Sequence, residues 1–330
     1  MSIDFQAHIF PKEYVDILIQ VSGFPQGRLQ EGKLVVDYGH GMADQRYKIL
    51  SKLQDLDERL ARMDSLGIET QVLTVAIPGS NAGNQSESLR MSRAINEFIS
   101  SAVKKHKGRF LGFASLPLLD QNDALAELDR AVNSLELVGV EIYSNARGRP
   151  IDDRMFWKIY EKMEDYGIGL YIHPTTPYMA KEELLKDYYL WGPAFGYTFD
   201  TALAVLRFIN SGVMEEFKKL KVMIGHLGET LPYIIDRIDW AYTRFPDAAV
   251  NLKRKPHEYL LDMFVDTAGI FSGPSLECAT RVLNHEKLVF GSDYPFENIE
   301  KAVSFVKDSD LSESIKKKIL SENGRAFLGN

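Results

Sequence analysis

The sequence predicts an α/β fold in which parallel strands close into a (β/α)8 barrel, and three observations support this. Short runs rich in β-branched and aromatic residues alternate with longer amphipathic, charged segments. Several of the short runs are apolar almost throughout, which is typical of parallel strands buried on both faces. The alternation recurs along all 330 residues, whereas a barrel alone needs about 250. The chain therefore has room for one barrel and an insertion.

The eight short apolar runs are the predicted barrel strands, at residues 3–8, 71–76, 110–116, 138–143, 169–173, 221–226, 263–268 and 288–293. The segments between them have helical periodicity, with acidic or hydroxyl residues near their starts and basic residues near their ends, as the helix dipole favours. These predicted helices span residues 53–66, 86–106, 120–135, 152–166, 198–217, 229–242, 275–282, 299–307 and 312–327. Strands that alternate with helices in this way indicate a parallel TIM barrel.

Two insertions interrupt the alternation. Residues 10–50 separate the first strand from the first helix, and their portion 22–45 is rich in glycine and polar residues. Barrel enzymes carry such insertions over the C-terminal rim, so we predict a lid or cap within one domain of residues 1–330. The second insertion, residues 174–193, carries Tyr188, Tyr189 and Trp191. Their rings either form the wall of a pocket or pack the loop down, and the sequence favours neither.

Composition narrows the possible functions. The chain is 45% hydrophobic and 26% charged, with a net charge of −7 and no evident basic stripe, so no nucleic-acid partner is expected. A single cysteine, Cys278, excludes an intramolecular disulfide and a multi-cysteine zinc site, and it suits a reducing compartment. No apolar run approaches the ~20 residues of a membrane-spanning helix, and no secretory leader is evident. We therefore expect a cytoplasmic protein with no membrane partner.

Polar side chains stand at the ends of four predicted strands. Gln6 and His8 end the first strand, His173 the fifth, His226 the sixth and Asp293 the eighth. In a barrel these ends meet on one face, which is where catalytic residues lie. A single histidine at a strand end is more often structural than catalytic, but three of the seven histidines end predicted strands. We therefore predict that these side chains converge.

The converging residue types suit a metal site. Two imidazoles and one carboxylate with open coordination positions are typical of a catalytic divalent ion, and His8, His173 and Asp293 can supply that set. His226 is followed three residues later by Glu229. A carboxylate so placed can hold the imidazole in one tautomer and raise its basicity. Glu229 also suits the start of a helix, where the dipole favours an acidic residue.

The motifs around these residues resemble the amidohydrolase superfamily, and more narrowly its amidohydrolase-related family 2. The motifs are Gln6-Ala-His8, "YIHP" with His173, "IGHLGETLPYIIDRID" with His226, Glu229 and Arg237, and "VFGSDYPFENI" with Asp293. Within the superfamily they are similar to the decarboxylase branch, which includes aminocarboxymuconate-semialdehyde decarboxylase and the γ-resorcylate and dihydroxybenzoate decarboxylases. The resemblance runs through the whole chain and is strongest from about residue 173 onward.

The resemblance implies roles for the strand-end residues. His8, His173 and Asp293 match metal ligands of the family. His226 matches a histidine near the metal-bound water or substrate, and with Glu229 and Asp293 it would form an acid/base relay. The family's usual metal is one zinc or manganese ion.

Arg237 matches an arginine that in some relatives reaches into the site of the neighbouring subunit. The resemblance therefore implies that Arg237 binds substrate across a subunit interface. It also implies a homodimer or a homotetramer as the working assembly.

Gln6 departs from the family pattern, which has histidine in hydrolases and in the aminocarboxymuconate type, and glutamate in the resorcylate type. An amide offers only a carbonyl oxygen, which suits manganese or magnesium better than zinc. Three interpretations remain open. Gln6 coordinates the metal weakly, it lies beside a metal held by three residues, or the site binds metal poorly and is inactive.

The function that the resemblance implies is non-oxidative decarboxylation of a small hydroxyaromatic or unsaturated carboxylic acid. A metal-dependent hydrolase of an ester, lactone or amide is the first alternative, because it would use the same ligands. A catalytically degenerate barrel is the second. The fourth predicted strand carries Glu141 and no lysine of the kind that bridges two ions, and this favours one metal.

Overall fold

The barrel is built from eight parallel strands that pair in chain order. The computed structural model describes residues 2–39, 45–47, 50–177, 185, 187–245 and 252–329. The strands are β1 (Ser2–Ile9), β2 (Ile68–Val75), β3 (Phe110–Ser115), β4 (Gly139–Tyr143), β5 (Gly169–His173), β6 (Val222–Ile224), β7 (Phe264–Asp266) and β8 (Leu288–Val289). Each pairs in parallel with the next. Every predicted strand overlaps an observed one.

The segment after β8 returns to β1 and nearly closes the barrel. The backbone N–H of Phe5 donates to the carbonyl of Phe290 at 2.9 Å, and that of His8 donates to the carbonyl of Tyr294 at 2.7 Å. Ala7 also forms an isolated parallel bridge with Tyr294. The predicted (β/α)8 TIM barrel is therefore confirmed.

Helices occupy the intervals between the strands, and every predicted helix overlaps an observed one. Several begin at a residue whose side chain caps the free N–H groups, as Asn84 does in a capping box with Glu87. The predicted helix 198–217 is broken at Gly212, whose φ of 85° suits glycine. The described helices include Lys12–Leu18, Leu50–Gln54, Leu56–Leu66, Gln85–Lys105, Gln121–Asn133, Trp157–Tyr166, Gly196–Asn210, Val213–Glu216, Leu231–Arg244, Pro256–Leu260, Gly273–Val282, Ile299–Lys307, Glu313–Lys317 and Asn323–Leu328.

Aromatic side chains fill the N-terminal end of the barrel. Phe5, Phe113, Tyr171 and Phe264 point inward and are buried. Phe327 from the last helix packs edge-on against Phe5, with ring centroids 5.7 Å apart. The interior is therefore packed from this end, and polar groups gather at the opposite, C-terminal rim.

Three antiparallel strands form a small sheet within the first insertion, at Gln26–Gln30, Lys33–Asp37 and Gln45–Tyr47. The rings of Tyr38 and Trp191 lie 6.3 Å apart, so the two insertions contact each other. Trp191 is 2% exposed, whereas Tyr188 is 89% exposed. Trp191 therefore packs the second insertion down. Residues 40–44 and 48–49 of the predicted cap, and residues 178–184 and 186 of the second insertion, lie outside the described residues.

None of the helices in the described ranges has both the length and the apolar composition needed to cross a membrane.

Candidate metal centre

Three potential ligands meet at the C-terminal rim. His8 and His173 come from the ends of β1 and β5, and their ring centroids are 4.8 Å apart. Asp293 follows β8, and its Oδ1 lies 3.1 Å from His8 Nε2. One ligand atom from each of the three lies within 4.8 Å of the others. The structure thus brings together the three residues that the sequence analysis singled out.

Hydrogen bonds orient both imidazoles toward a common centre. His173 Nδ1 lies 2.7 Å from the carbonyl oxygen of Pro174, so Nδ1 carries the proton and Nε2 keeps its lone pair. His8 Nδ1 lies 3.0 Å from Thr74 Oγ1, which can hold the same tautomer. Burial lowers the pKa of His173 well below its ordinary value, and the nearby His8 and His226 lower it further. His173 is therefore neutral at neutral pH, as a metal ligand must be.

Gln6 lies in the middle of this group. Its Nε2 lies 3.4 Å from His8 Nε2, 3.4 Å from His226 Nε2 and 3.3 Å from Asp293 Oδ1. Its Oε1 is buried and has no hydrogen-bond partner within the described ranges. A half-turn of the amide exchanges its two ends without changing its shape, so Gln6 can present Oε1 to the same groups. A buried oxygen without a partner is the feature expected of a ligand to a cation.

His226 and Glu229 form a buried ion pair beside the three ligands. His226 Nδ1 lies 2.9 Å from Glu229 Oε1, and the Glu229 side chain is 3% exposed. Burial lowers the pKa of His226, but the carboxylates of Glu229, Asp266 and Asp293 outweigh burial and raise it to about 9. The predicted pairing of His226 with Glu229 is therefore present in the structure.

The backbone around these residues is strained. His226, Leu227, Glu229 and Asp293 have φ values of 56°, 53°, 57° and 57°, a region that residues with a Cβ seldom adopt. Such residues persist only where the surroundings hold them, and they cluster at functional sites. This conformation also keeps His226 and Asp293, the predicted last residues of the two strands, out of β6 and β8.

Asp266, which the sequence analysis did not single out, holds the strained turn after β6. Its carboxylate accepts hydrogen bonds from the N–H of His226 at 3.0 Å, the N–H of Ala268 at 2.9 Å and the hydroxyl of Tyr171 at 2.9 Å. Gly269 lies against the same imidazole, and a Cβ there would be 2.5 Å from His226 Cδ2. The signal was available, because Asp266 is a carboxylate near the end of a predicted strand.

A second buried network fixes the strands below the centre. Asp4 accepts from the Ser292 N–H at 2.9 Å, from the Ser292 hydroxyl at 2.6 Å and from Gln71 Nε2 at 2.8 Å. Arg59 donates to the carbonyl of His8 at 2.6 Å and to Gln71 Oε1 at 3.3 Å. Burial raises the pKa of Asp4 to about 6, against the opposing effect of its hydrogen bonds. These contacts tie β1, β2 and the segment after β8 together.

Two further residues singled out in the sequence lie apart from this group. Glu141 is buried, and burial raises its pKa well above the ordinary value against the opposing effect of hydrogen bonds from Thr74 and the Val75 backbone. It is not part of the three-ligand group. Arg237 lies exposed on the helix Leu231–Arg244, with its guanidinium 5.0 Å from the ring of Trp240. Arg237 makes no described contact with the ligands of its own chain.

A cavity of about 280 Å³ opens next to the centre. Tyr143 lines it, and the ring of Tyr143 lies 5.9 Å from that of His173. The other lining residues come from the first insertion, from the loops after β2 and β4, and from the second insertion, which follows β5. They are Phe24, Pro25, Tyr38, Gly39, Pro78, Asn81, Asn145, Arg147, Gly148, Thr175, Thr176 and Pro177. The cavity therefore has apolar walls with several polar groups, as small-molecule sites do.

The donor set fits one divalent cation. Two imidazoles oriented by their Nδ1 contacts, one carboxylate and one unsatisfied carbonyl oxygen give two nitrogen and two oxygen donors. This mixture suits manganese or zinc and leaves positions for substrate.

Comparison with known proteins agrees with this geometry. A family model described as "Amidohydrolase" matches residues 3–329. A gamma-resorcylate decarboxylase from Polaromonas sp. strain JS666 is 32% identical over 289 residues, which are 82% of this chain and 87% of that protein. A 2-amino-3-carboxymuconate-6-semialdehyde decarboxylase from Dictyostelium discoideum is 28% identical over 341 residues, with 100% of this chain and 92% of that protein covered.

A solved structure extends the comparison to the fold. The dihydroxybenzoic acid decarboxylase of Polaromonas sp. JS666, with bound manganese and the inhibitor 2-nitroresorcinol, has a TM-score of 0.85 and 28% identity. The match covers 99% of this chain and 96% of that one. With the family match along almost its whole length, the chain belongs to the amidohydrolase family and is similar to the family's decarboxylases.

Proposed function

We propose that the chain is a metal-dependent carboxy-lyase that removes carbon dioxide, without oxidation, from a small hydroxyaromatic or unsaturated carboxylic acid. The observation that carries the proposal is the meeting of His8, His173 and Asp293 beside a cavity, in a chain whose relatives are named decarboxylases. The hydrolase alternative would use the same ligands, but no feature of the described residues favours it. The converged ligand set also argues against a degenerate barrel.

His8, His173 and Asp293 would hold the ion, with Gln6 Oε1 as a further oxygen donor. The carbonyl and carboxylate oxygens favour manganese over zinc, and the similar dihydroxybenzoic acid decarboxylase contains manganese. When bound, the ion supplies Lewis acidity and a template for the substrate's carboxylate and an adjacent oxygen. Because Glu141 lies outside the ligand group, we propose one ion per chain.

The acid/base chemistry would be carried out by Asp293, His226 and Glu229. In the reaction, the bond between the carboxylate carbon and the substrate carbon breaks, and that substrate carbon gains a proton. Asp293 is 17% exposed at the rim and can deliver this proton. His226, held by Glu229 at 2.9 Å, can supply the proton that Asp293 gives up, through solvent at the rim. Glu229 thus orients His226 and stabilises its charged form.

The insertion after β1 would cover the rim as a cap. Phe24, Pro25, Tyr38 and Gly39 from this insertion line the cavity beside the centre. Excluding water there strengthens the electrostatic interactions of the site.

A cytoplasmic location is a further expectation, which rests on the single Cys278.

The working assembly would be a homodimer formed through the helices Gly196–Asn210 and Leu231–Arg244. Large apolar side chains on these helices are exposed, with Tyr233 at 88% and Trp240 at 54%. Exposed apolar patches of this kind mark protein contacts. Arg237 lies on the same helix as these two residues and would reach the site of the second subunit, where its guanidinium can bind the substrate carboxylate.

The proposal is tested by measuring carbon dioxide release from a panel of hydroxybenzoates and muconate-like acids. We expect release with the wild-type protein and with a His285→Ala control, because His285 is exposed and outside the site. We expect none with Asp293→Asn. Absence of release from every acid, with one metal ion bound per chain, would contradict the proposal.

A further inference from the structure

A cleft at the N-terminal end of the barrel, opposite the metal centre, collects positive charge. Lys221 immediately precedes β6 and Lys287 immediately precedes β8, so both lie at the N-terminal ends of barrel strands. His226 and Asp293 follow the same two strands at the opposite rim. The cleft has a volume of about 460 Å³, within the ~300–1,000 Å³ typical of ligand sites. We name it the basic cleft, and its cationic residues are Lys218, Lys219, Lys221, Lys253, Arg254 and Lys287.

The basic cleft is lined by more cationic than anionic side chains. Its lining holds six cationic side chains but two carboxylates, those of Glu215 and Asp262, and is therefore positive by four charges. The whole chain, by contrast, has a net charge of −7. A concave surface lined by one sign of charge focuses the field and attracts counter-ions.

The ion pairs in the basic cleft leave half of its cations without a counter-charge. Lys218 and Lys253 share one carboxylate, each with Nζ 3.5 Å from Glu215 Oε1. Arg254 pairs with Asp262 at 2.6 Å. The other three cations, Lys219, Lys221 and Lys287, form no ion pair with a described carboxylate.

Two of these unpaired amines, Lys221 and Lys287, line the same cleft and repel each other. Burial lowers the pKa of Lys221, and repulsion from Lys287 lowers it further, so the two charges are close enough to interact. Lys221 Nζ also donates to the carbonyls of Ala326 at 3.2 Å and Phe327 at 2.9 Å, and Lys287 Nζ lies 4.3 Å from the ring centroid of Phe264. These contacts fix both amines at the cleft. They do not neutralise either charge, which an anion would do.

The floor of the basic cleft is apolar. Met214, Phe217, Leu220 and Phe264 line it beneath the cationic rim. Phe217, Leu220 and Phe264 are 8%, 6% and 3% exposed and Met214 is partly exposed, so the floor offers a small apolar area beneath the charges. A ligand with both an anionic part and an apolar or aromatic part would cover the rim and the floor together.

We propose that the basic cleft binds a small organic oligophosphate of the nucleoside di- or triphosphate class. A chain of two or three phosphates matches the four uncompensated charges, whereas a simple carboxylate supplies one charge and a dicarboxylate two. Ammonium groups bind phosphate oxygens through short, charge-assisted hydrogen bonds. The apolar floor accommodates the organic part of the ligand. This site is separate from the metal centre and does not depend on the proposed reaction.

The test is calorimetric titration of the full chain with ATP and, separately, with inorganic tripolyphosphate at low ionic strength. We expect saturable binding at one site per chain, and tighter binding of ATP because of the apolar floor. Binding should weaken by about tenfold or more in Lys219→Ala combined with Lys287→Ala, since two charge-assisted contacts are lost. Binding should weaken less in Lys219→Ala alone. Lys219 is exposed, and this variant keeps the contact between Lys287 and Phe264.

Two controls make the test specific. Lys12→Ala removes one charge from a side chain that is 86% exposed and lies outside the basic cleft, and it should bind ATP as the wild type does. His173→Ala disables the metal centre and should also bind normally. No saturable binding, equal weakening in Lys12→Ala, or loss of binding in His173→Ala would each overturn the proposal. Binding of ATP no tighter than that of tripolyphosphate would overturn the assignment of the apolar floor.

Discussion

At the scale of single residues, Gln6 is the group that distinguishes this centre. Its amide lies within 3.4 Å of His8, His226 and Asp293. A histidine at the same position would offer a softer nitrogen donor, and a glutamate would add a negative charge. The neutral oxygen of Gln6 therefore favours a harder ion and leaves the site more positive than glutamate would.

Replacing Gln6 tests whether its amide is a ligand. We expect Gln6→Ala to bind manganese about tenfold or more weakly than the wild type, on the scale of losses around metal sites. The measurement is competition against a chelator of known affinity. Gln85→Ala is the control, because Gln85 is exposed at the start of the helix Gln85–Lys105 and pairs with Asp123. Equal manganese affinity in Gln6→Ala and the wild type would show that the amide only stands beside the ion.

The sequence revealed the ligands but not the residues that hold them. His8, His173 and Asp293 stand at the ends of predicted strands, and barrel geometry then places them together. Asp266 and Thr74 act on the backbone and the imidazoles through contacts between distant segments. The position of Asp266 near the end of a predicted strand is visible in the sequence, but the contacts that both residues make become visible only when the strands are in register.

At the scale of secondary-structure elements, the loops after β6 and β7 depend on each other. Gly269 follows β7 with a φ of 68°, and it leaves space for the His226 imidazole from the preceding loop. The predicted strand 221–226 runs past the observed end of β6 because the left-handed backbone at His226 is imposed by Asp266. A tertiary hydrogen bond overrides the local preference for extended backbone there.

Gly269→Ala tests this dependence. The new Cβ would lie 2.5 Å from His226 Cδ2, so we expect the imidazole to shift and carbon dioxide release to fall by about a hundredfold, the scale of a misplaced catalytic group. We also expect the free energy of unfolding to fall by about 1–3 kcal/mol. Gly273→Ala is the control, since a Cβ there meets nothing within 4 Å. Full activity in Gly269→Ala would contradict the account of how His226 is positioned.

The helix Leu56–Leu66 is attached to the barrel through Arg59. This side chain is fully buried and donates to the carbonyl of His8, whose imidazole is one of the three proposed metal ligands. The helix was predicted from its periodicity, which does not show that Arg59 is buried. Burial of Arg59 depends on its partners in β1 and β2, which the helical pattern does not contain.

Arg59→Ala should lower the free energy of unfolding by about 3–5 kcal/mol, because it leaves buried acceptors unpaired. Arg62→Ala, one turn along the same helix, removes ion pairs with Glu58 and Glu300 that are partly exposed, and should cost less than about 1 kcal/mol. Urea unfolding of both variants measures the difference. Similar losses in the two variants would show that the buried network adds nothing to stability.

At the scale of the whole molecule, the sequence predicted the architecture well because one pattern repeats. Buried parallel strands and amphipathic helices have distinct periodicities. Eight strand–helix repeats are the number found in a closed (β/α)8 barrel. The placement of Arg237 could not be predicted in the same way. Arg237 is exposed on the helix Leu231–Arg244, and its proposed role in substrate binding requires a second chain against that helix.

Mixing two inactive variants tests whether Arg237 serves a second subunit. Arg237→Ala and Asp293→Asn should each be inactive alone, since one lacks the guanidinium and the other the carboxylate. In a mixed dimer, one of the two sites would combine an intact Asp293 with an intact Arg237, so carbon dioxide release should return. The measurement is activity after the two proteins are unfolded and refolded together, with each refolded alone as the control. No recovery in a mixture shown to contain dimers would contradict a role for Arg237 across the interface.

We propose above all that one divalent ion binds to His8, His173 and Asp293. The most direct test is elemental analysis of the wild type, His173→Ala and the exposed-histidine control His285→Ala after incubation with manganese and removal of the excess. We predict about one manganese ion per chain in the wild type and in His285→Ala, and a large loss in His173→Ala. No bound metal in the wild type, or equal metal in His173→Ala, would contradict the account.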